Sequence, residues 1–282
     1  MTPPDFVVVG HVVRDLVPEG WRLGGTVTFA AVQAHRLGVT AGVVTRAAND
    51  MDVASEMPFA EVVRGPSAQT TSFENVYDSG RRRQRVSSQA APIQRDDVPP
   101  DWRAAPVVLL GPVLGELEPG FATMFPEASL VGVSAQGWLR SVDSEGHVVH
   151  TQWTGEPFWL GADVLFVSDE DLDGRDDALE RWTHDVPVVA MTESWKGARV
   201  YAESVWRRID AFPEDEVDPT GAGDTFATAF LIRLHETNDV AEAARFGTAA
   251  ASISVGAAGA AAMPLRADIE QRLRDYPEVT LK

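Results

Sequence analysis

The sequence predicts an α/β protein with a doubly wound, mainly parallel sheet, helices on both faces of the sheet and a small β lid. Three observations predict this fold. A strand, helix, strand order opens the chain within residues 6–45. Short runs that are apolar throughout recur further along, as in strands buried on both faces. Residues 69–93 instead alternate β-branched or aromatic with polar residues, which is typical of a partly exposed hairpin.

The first βαβ unit is predicted from its apolar runs and glycines. The run FVVVGHVVRDL, residues 6–16, predicts one buried strand with polar groups at its carboxyl end. Gly24 and Gly25 predict a flexible turn. Residues 28–37 then predict a helix stopped by a glycine, and residues 42–45 a second strand. This order favours parallel pairing of the two strands.

The remaining elements follow the same two patterns. Residues 147–153 and 198–204 are typical of hairpin strands at a sheet edge, and residues 78–80 predict the turn of the 69–93 hairpin. No linker or repeat interrupts the chain, so we expect one domain over residues 1–282 with that hairpin inserted as a lid. The other buried strands are predicted at residues 107–113, 129–137, 163–168 and 186–192, and further helices at residues 176–183, 222–235, 240–255 and after Pro264.

Composition excludes several classes of function. The 282 residues include no cysteine, which excludes disulfides, zinc–thiolate sites and thiol nucleophiles and fits a reducing cytoplasm. The net charge of −18 argues against nucleic-acid binding, because that affinity rests on neutralising phosphates. No apolar run could cross a bilayer, and the N-terminus lacks signal-peptide features. We therefore expect a cytoplasmic protein without nucleic-acid or membrane partners.

The most informative segment is VDPTGAGDTFATAFL, residues 217–231. It places Gly221, Ala222, Gly223 and Asp224 at the start of a predicted helix. Small residues let backbone N–H groups approach a ligand, and a helix N-terminus adds unpaired donors and partial positive charge, which together make an anion hole. The dipole favours an ionised Asp224, so we expect its pKa to rise little and the carboxylate to accept a proton from a hydroxyl. The alternative is a purely structural helix start.

The same segment resembles the C-terminal signature of the ribokinase-like (PfkB) carbohydrate kinases. That resemblance implies that Asp224 is the catalytic base and that the amides of Gly221, Ala222 and Gly223 form the anion hole. Residues 243–264 resemble the helix and loop that flank the adenine, and GHVVRD and GGTVTFAAVQAHRLG resemble the N-terminal substrate motifs. The resemblance spans nearly the whole chain. It implies transfer of the γ-phosphate of Mg²⁺·ATP to a hydroxyl of a small sugar, a polyol such as myo-inositol, or a nucleoside.

The acceptor end is also implied by the resemblance. Asp15 would accept hydrogen bonds from two neighbouring hydroxyls, and Gly24 and Gly25 would leave room for a ring. Phe29 stands where the family usually carries an asparagine. Because a phenylalanine cannot hydrogen-bond a hydroxyl, this substitution indicates a different substrate or a repacked pocket. A strand-end cap on backbone amides is the alternative role for Asp15.

A second group of acceptor-end residues lies in SAQGWLR, which resembles a stretch at the end of a central strand in some family members. Gln136 would face the site and Arg140 would neutralise phosphate, with surface packing as the alternative for both. The hairpin at residues 69–93 resembles the family's lid, which closes over substrate and excludes water. Because such lids sometimes pair, a homodimer is an open alternative.

The metal residues are implied in the same way. The family's Asn-x-x-Glu motif, which organises metal and phosphates through water, is present here as Ser168-Asp-Glu-Asp171. Asp171 keeps the charge of the glutamate on a shorter side chain. Asp218 and Thr220 match positions that help bind a monovalent cation in some relatives. Turn formation around the intervening proline is the alternative for this pair.

The nucleotide residues depart from the family pattern. Its Thr-x-Gly-x-x-Gly loop is present as Thr192, Ser194 and Gly197, so one glycine is replaced by serine. Thr248 replaces an asparagine often found near the adenine. These departures motivate an alternative function, a non-catalytic sugar- or nucleotide-binding protein on the same fold, against which the retained Asp224 argues. A nicotinamide dehydrogenase is disfavoured because no GxGxxG follows the first strand.

Overall fold

The computed structural model describes residues 2–78, 81–175 and 177–282, so the predicted turn at residues 78–80 lies partly outside the described residues. The helices are α1 (Thr26–Arg36), α2 (Val53–Glu56), α3 (Asp169–Leu172), α4 (Asp177–Asp185), α5 (Ala222–Thr237), α6 (Val240–Ser254) and α7 (Arg266–Asp275). The strands are β1 (Phe6–Val9), β2 (Val13–Val17), β3 (Gly20–Gly24), β4 (Ala41–Ala47), β5 (Glu61–Pro66), β6 (Thr71–Asp78), β7 (Arg81–Ser88), β8 (Val107–Leu110), β9 (Leu130–Ser134), β10 (Arg140–Val142), β11 (Val148–His150), β12 (Val164–Ser168), β13 (Val188–Thr192), β14 (Ala198–Ala202) and β15 (Val205–Ile209).

The main sheet has nine strands within the described residues, in the order β15-β14-β13-β12-β9-β8-β1-β4-β5. The pairings from β13 to β5 are parallel, and β14 and β15 add an antiparallel edge. The chain runs outward from β1 through β4 and β5, then returns to β8 and runs outward in the other direction. The predicted doubly wound fold is therefore confirmed. Its switch point lies between β1 and β8, where ligands bind in such sheets.

The apolar runs are buried because the main sheet is covered on both faces. Val8 of β1 joins an apolar cluster that includes Phe230 of α5, whereas its neighbour Val7 joins a second cluster that includes Trp182 of α4. Successive side chains of a strand point to opposite faces, so both faces of the sheet need apolar residues. This explains why the central strands read as continuous apolar runs rather than as alternating ones.

The N-terminal run differs from its prediction. Residues 6–16 form two strands in different sheets, β1 and β2, instead of one. Gly24 and Gly25 do not form a flexible turn either, because Gly24 ends β3 and Gly25 precedes the first residue of α1. Gly25 has φ 85°, and a Cβ there would lie 2.5 Å from the carbonyl oxygen of His11, so the close packing of these segments requires glycine.

A smaller sheet of four strands, here the lid sheet, has the order β3-β2-β6-β7. Its β6–β7 hairpin falls within the predicted segment 69–93, and the small additional sheet is part of the fold class that is confirmed. The β10–β11 hairpin extends it, since Val86 N–H donates to the Gly146 carbonyl at 2.8 Å. Among the described residues, no helix is long and apolar enough to cross a membrane.

A buried polar network ties the lid sheet to the main sheet. The Glu116 carboxylate accepts hydrogen bonds from the backbone N–H groups of His11 (2.9 Å), Val113 (2.9 Å) and Leu114 (2.8 Å). The imidazole of His11 contacts the Thr71 hydroxyl at 2.8 Å. Both His11 and Glu116 are fully buried, so these bonds offset the cost of removing their polar groups from water. The network holds together the segment between β1 and β2, the loop after β8 and the start of β6, where the two sheets adjoin.

Candidate active site

A cavity of about 870 Å³ lies where the carboxyl ends of the main-sheet strands meet the lid sheet. Gly10 follows β1 and Gly111 follows β8, and a Cβ on Gly10 would lie only 2.2 Å from the Gly111 carbonyl oxygen. The switch point is thus closely packed beneath the cavity. The predicted site residues that line the cavity are Asp15, Gly25, Phe29, Gln136, Arg140, Ser168, Asp171, Thr192, Ser194, Gly197, Thr220, Gly221, Ala222, Gly223, Asp224 and Thr248.

The N-terminus of α5 opens onto this cavity. Gly221 has a left-handed backbone with φ 80°, and α5 begins at the next residue, which places Asp224 in its first turn. The N–H of Ala222 donates to the Pro219 carbonyl at 3.2 Å. Of the predicted anion-hole amides, that of Ala222 is thus engaged by the turn itself. The amides of Gly223 and Asp224 precede the first bonds within the helix, so they are the donors best placed to meet an anion.

The environment of Asp224 combines burial with one hydrogen bond and two nearby charges. Burial raises the pKa of Asp224 to about 6, a hydrogen bond from the Thr26 side chain and the positive charge of Arg140 oppose the rise, and the negative charge of Asp171 adds to it. The expectation of an almost unchanged pKa is therefore wrong, since it weighed the helix dipole and not the loss of water. The carboxylate still remains about nine-tenths ionised at pH 7.

Arg140 and Asp171 form an ion pair beside this centre. Arg140 Nη2 lies 3.4 Å from Asp171 Oδ1, and the Asp171 side chain is only 4% exposed. Ser168 is the N-cap of α3: its hydroxyl donates to Asp171 Oδ2 at 2.6 Å and accepts from the Asp171 N–H at 3.0 Å. The pair holds a guanidinium close enough to influence Asp224. A serine in place of the family's asparagine is thus compatible with a fixed carboxylate.

The end of the cavity beside the lid sheet, which the resemblance assigns to the acceptor, combines a carboxylate with apolar walls. Gly24 lies behind Asp15, and a Cβ there would stand 2.1 Å from Asp15 Oδ2. A larger residue at position 24 would therefore displace the carboxylate. Phe29 is 5% exposed and packs against Gly221, where a Cβ would lie 2.4 Å from Phe29 Cδ1. Further residues of the lid sheet and the β10–β11 hairpin line the cavity although no sequence motif indicates them, namely Val13, Phe73, Gln84, Val148 and His150.

The end that the resemblance assigns to the nucleotide, here called the donor end, is built by the turn after β13 and by α6. Ser194 adopts φ 52° where the family pattern has glycine, a backbone that L-residues rarely adopt. Gly197 has φ 99°, and a Cβ there would meet the Ile209 carbonyl oxygen at 2.1 Å. The Thr248 hydroxyl donates to the Ala244 carbonyl at 2.8 Å. Trp195 also lines this end, and no motif in the sequence analysis singled it out.

The pair predicted for a monovalent cation forms the turn before α5. The Thr220 N–H donates to Asp218 Oδ1 at 3.0 Å, and the Asp218 N–H donates to the Val255 carbonyl at 3.1 Å. Thr220 lines the cavity, and Asp218 lies next to it in the turn. Within the described ranges, no group of three histidine, aspartate or glutamate side chains is arranged to hold a metal ion by itself.

The chain is similar in sequence to known carbohydrate kinases. The family model for pfkB family carbohydrate kinases matches residues 158–267. The chain is 30% identical to inositol 3-kinase of Zea mays over 278 residues, which cover 89% of this chain and 72% of that protein. The chain belongs to the pfkB family of carbohydrate kinases. The resemblance seen in the sequence is thereby confirmed.

Other pfkB relatives match shorter segments or the fold. Ribokinase of Bacillus subtilis is 45% identical over 84 residues, 29% of each chain, and probable fructokinase-4 of Arabidopsis thaliana is 33% identical over 132 residues, 40% of that protein and 41% of this chain. The chain thus spans less than half the length of these two relatives. A solved pyrophosphate-dependent kinase of the ribokinase family, complexed with a pyrophosphate analog and myo-inositol, has TM-score 0.78 at 23% identity, covering 95% of this chain and 99% of that one.

Proposed function

We propose that this protein transfers the γ-phosphoryl group of ATP to a hydroxyl of a small polyol or sugar, with Asp224 as the base. One observation carries the proposal: Asp224, in the first turn of α5, lines the same cavity as Asp15 of the lid sheet and Thr192 of the donor end. A single space therefore reaches from acceptor-side groups to donor-side groups with an ionisable carboxylate between them. Phosphoryl transfer needs this positioning more than it needs covalent catalysis.

In the proposed reaction Asp224 accepts the proton of the attacking hydroxyl. The hydrogen bond from Thr26 holds the carboxylate in place. The amides of Gly223 and Asp224 donate to the oxygens of the transferred group as charge builds on them. Arg140 adds a positive charge on the same side, and its ion pair with Asp171 keeps it from turning away.

The carboxylates beside Arg140 are suitable ligands for Mg²⁺. Carboxylates of Asp169, Glu170 and Asp171 line the cavity, and Mg²⁺ prefers oxygen ligands while keeping several waters and substrate phosphates. We propose that Asp171 holds the ion through water and that the ion neutralises charge on the phosphates. We also propose a monovalent cation beside Asp218 and Thr220, whose turn lies next to the cavity.

Within the proposed acceptor class, we favour a cyclitol such as myo-inositol. The relatives that align over 88–89% of this chain are inositol 3-kinases of Arabidopsis thaliana, Zea mays and Oryza sativa. Phe73, the cross-strand partner of Asp15, and Phe29 add apolar surface to the cavity, which suits a ring with C–H groups on its face and hydroxyls at its rim. The test is acceptor-dependent ADP release with myo-inositol, ribose, fructose and a nucleoside compared under the same conditions.

Replacing Asp15 by asparagine should raise the KM of the preferred acceptor by roughly 10- to 100-fold, because one ionised partner of the hydroxyls is lost. The kcat should change less, since the base is untouched. Steady-state kinetics with varied acceptor measure both. Asp50→Asn is the matched control, because Asp50 is an exposed carboxylate that pairs with Arg14. Equal acceptor KM values for the two variants would contradict the role of Asp15.

The domain organisation and assembly are also proposals. We propose one domain over residues 1–282 in which the hairpin of residues 69–93 closes over the acceptor; Phe73 of β6 lines the cavity, which supports this. A homodimer through the lid sheet is supported by the exposed residues of its edge strand β3. We propose that the protein is located in the cytoplasm, where ATP is available; a chain without cysteine fits that reducing compartment.

A further inference from the structure

Trp195 is an exposed tryptophan at the donor end of the cavity. It lies on the three-residue turn Ser194–Lys196 that follows β13, and it is 77% exposed while lining the cavity. Large aromatic side chains bury much of their surface in most folds, so one that is left open beside a ligand cavity offers its face to a ligand. Its indole ring can bind a flat partner by stacking.

The turn that carries Trp195 is held from both sides. The Glu193 N–H donates to the Gly197 carbonyl at 2.8 Å, and the Lys196 N–H donates to the Glu193 carbonyl at 3.1 Å. The Glu193 carboxylate pairs with Arg199 (3.1 Å) and with Arg208 (3.3 Å). Because the backbone is already ordered, a ligand that stacks on the ring pays little entropy to fix it.

Apolar residues line the same end of the cavity. Pro213 follows β15, and the segment it belongs to is tied to α6, since the Phe212 N–H donates to the Ser252 hydroxyl at 3.1 Å. Ala251 and Val255 of that helix region also line the cavity. The turn of Trp195 packs on the start of this segment, where a Cβ on Gly197 would lie 2.6 Å from Ala211 N. Trp195 and these residues therefore form apolar walls of one space.

The charges at this end disfavour a second anionic group. In the described part of the chain, the basic residues that line the cavity are Arg140, at the transfer centre, and His150, on the hairpin beside the lid sheet. Glu214 and Glu216 line the donor end instead, and Arg272 neutralises Glu214 at 2.7 Å. Lys196 Nζ lies 5.8 Å from the centroid of the Trp195 ring, but Lys196 is not one of the residues that line the cavity. Among the lining residues this end thus carries carboxylates and no basic group, so a neutral aromatic group suits it better than another phosphate.

From these contacts we infer that Trp195 is a specificity-determining residue: its indole stacks on the base of a nucleoside-triphosphate donor and selects that donor over inorganic pyrophosphate. The inference rests on the proposed kinase function, and it deepens that function by naming the residue that recognises the donor. The question is open for this fold, because a solved neighbour is a pyrophosphate-dependent kinase. Pyrophosphate has no base and would leave the ring of Trp195 uncovered.

The test is calorimetric titration of the full-length protein with ADP and, separately, with pyrophosphate. Trp195→Ala should weaken ADP binding by roughly 5- to 150-fold, the loss expected for one stacked base, and should leave pyrophosphate binding within about twofold. Trp195→Phe should keep most of the ADP affinity. Leu160→Ala is the control, because Leu160 is 58% exposed and is not a cavity-lining residue. In steady-state kinetics, Trp195→Ala should raise the KM for ATP by the same factor by which it weakens ADP binding, and kcat should change little.

Two results would overturn the inference: ADP affinity in Trp195→Ala equal to that of the Leu160→Ala control, or a wild-type protein that binds pyrophosphate more tightly than ADP. The binding experiment needs no acceptor and no turnover. A wild type that binds ADP through Trp195 but phosphorylates none of the acceptors would refute the proposed function and leave the inference standing. Kinase activity in a protein whose ADP affinity is unchanged by Trp195→Ala would support the proposed function and refute the inference.

Discussion

Replacing Asp224 by asparagine should lower kcat by about 10²- to 10⁴-fold, the range that general-base catalysis contributes. The amide keeps the size of the carboxylate but cannot accept the proton of the attacking hydroxyl. The N–H groups at the start of α5 are unchanged, so the KM for ATP should move little. Acceptor-dependent ADP release, measured at saturating ATP and acceptor, gives the ratio.

The stability of this variant provides the control for misfolding. Burial raises the pKa of Asp224, so the folded state binds the proton more tightly than the unfolded state and the ionised carboxylate destabilises the fold. That cost is fully present above pH 6 and disappears as the pH falls toward the ordinary value near 4. Asparagine resembles the protonated form, so Asp224→Asn should melt no lower than wild type at pH 7.5. A variant that melts no lower and keeps wild-type kcat would refute the base.

Replacing Gly221 by alanine should lower the free energy of unfolding by about 2–4 kcal/mol and reduce kcat at least tenfold. An L-residue at φ 80° is strained by roughly 1–2 kcal/mol, and the new methyl group would stand 2.4 Å from the Phe29 ring. Either response, a shift of the α5 N-terminus or of Phe29, displaces the amides that meet the phosphoryl group. Denaturant unfolding and steady-state kinetics measure the two effects.

Gly223→Ala is the matched control for stability. A Cβ at Gly223 meets no described atom within 4 Å, and the residue lies inside α5, where alanine is favoured over glycine. Its free energy of unfolding should be unchanged or higher by about 0.5–1 kcal/mol. If steric contact with Phe29 is the cause, Phe29→Ala should couple to Gly221→Ala and recover part of the loss. Equal stabilities of the two glycine variants would contradict the packing.

The parts of the fold that local sequence determines were predicted well. The start of α5 was expected at Ala222 and is found there, because Gly221 supplies the left-handed residue and the apolar helix follows directly. The strand at residues 163–168 was found within one residue, since it is covered on both faces and reads as an uninterrupted apolar run. The family resemblance then ordered these elements into a doubly wound sheet.

What was missed depends on contacts between distant segments. Nothing local to residues 6–16 shows that β2 leaves the main sheet for the lid sheet. The pKa of Asp224 is raised by burial that segments from several parts of the chain create together. No sequence motif indicates Glu116, yet the backbone amides of His11 and Val113 donate to its buried carboxylate. Trp195 belongs to no motif, and only the cavity shows that its ring is left open to a ligand.

The most direct test of the account is the pH dependence of kcat/KM for the acceptor, measured between pH 4.5 and 8.5 for wild type and for the residual activity of Asp224→Asn. A base with a pKa of about 6 predicts that wild-type kcat/KM falls about tenfold per pH unit below pH 6. The variant should lack this limb, which separates Asp224 from the titration of ATP itself. A wild-type profile that stays flat down to pH 5, or an identical limb in both proteins, would contradict the central role of Asp224.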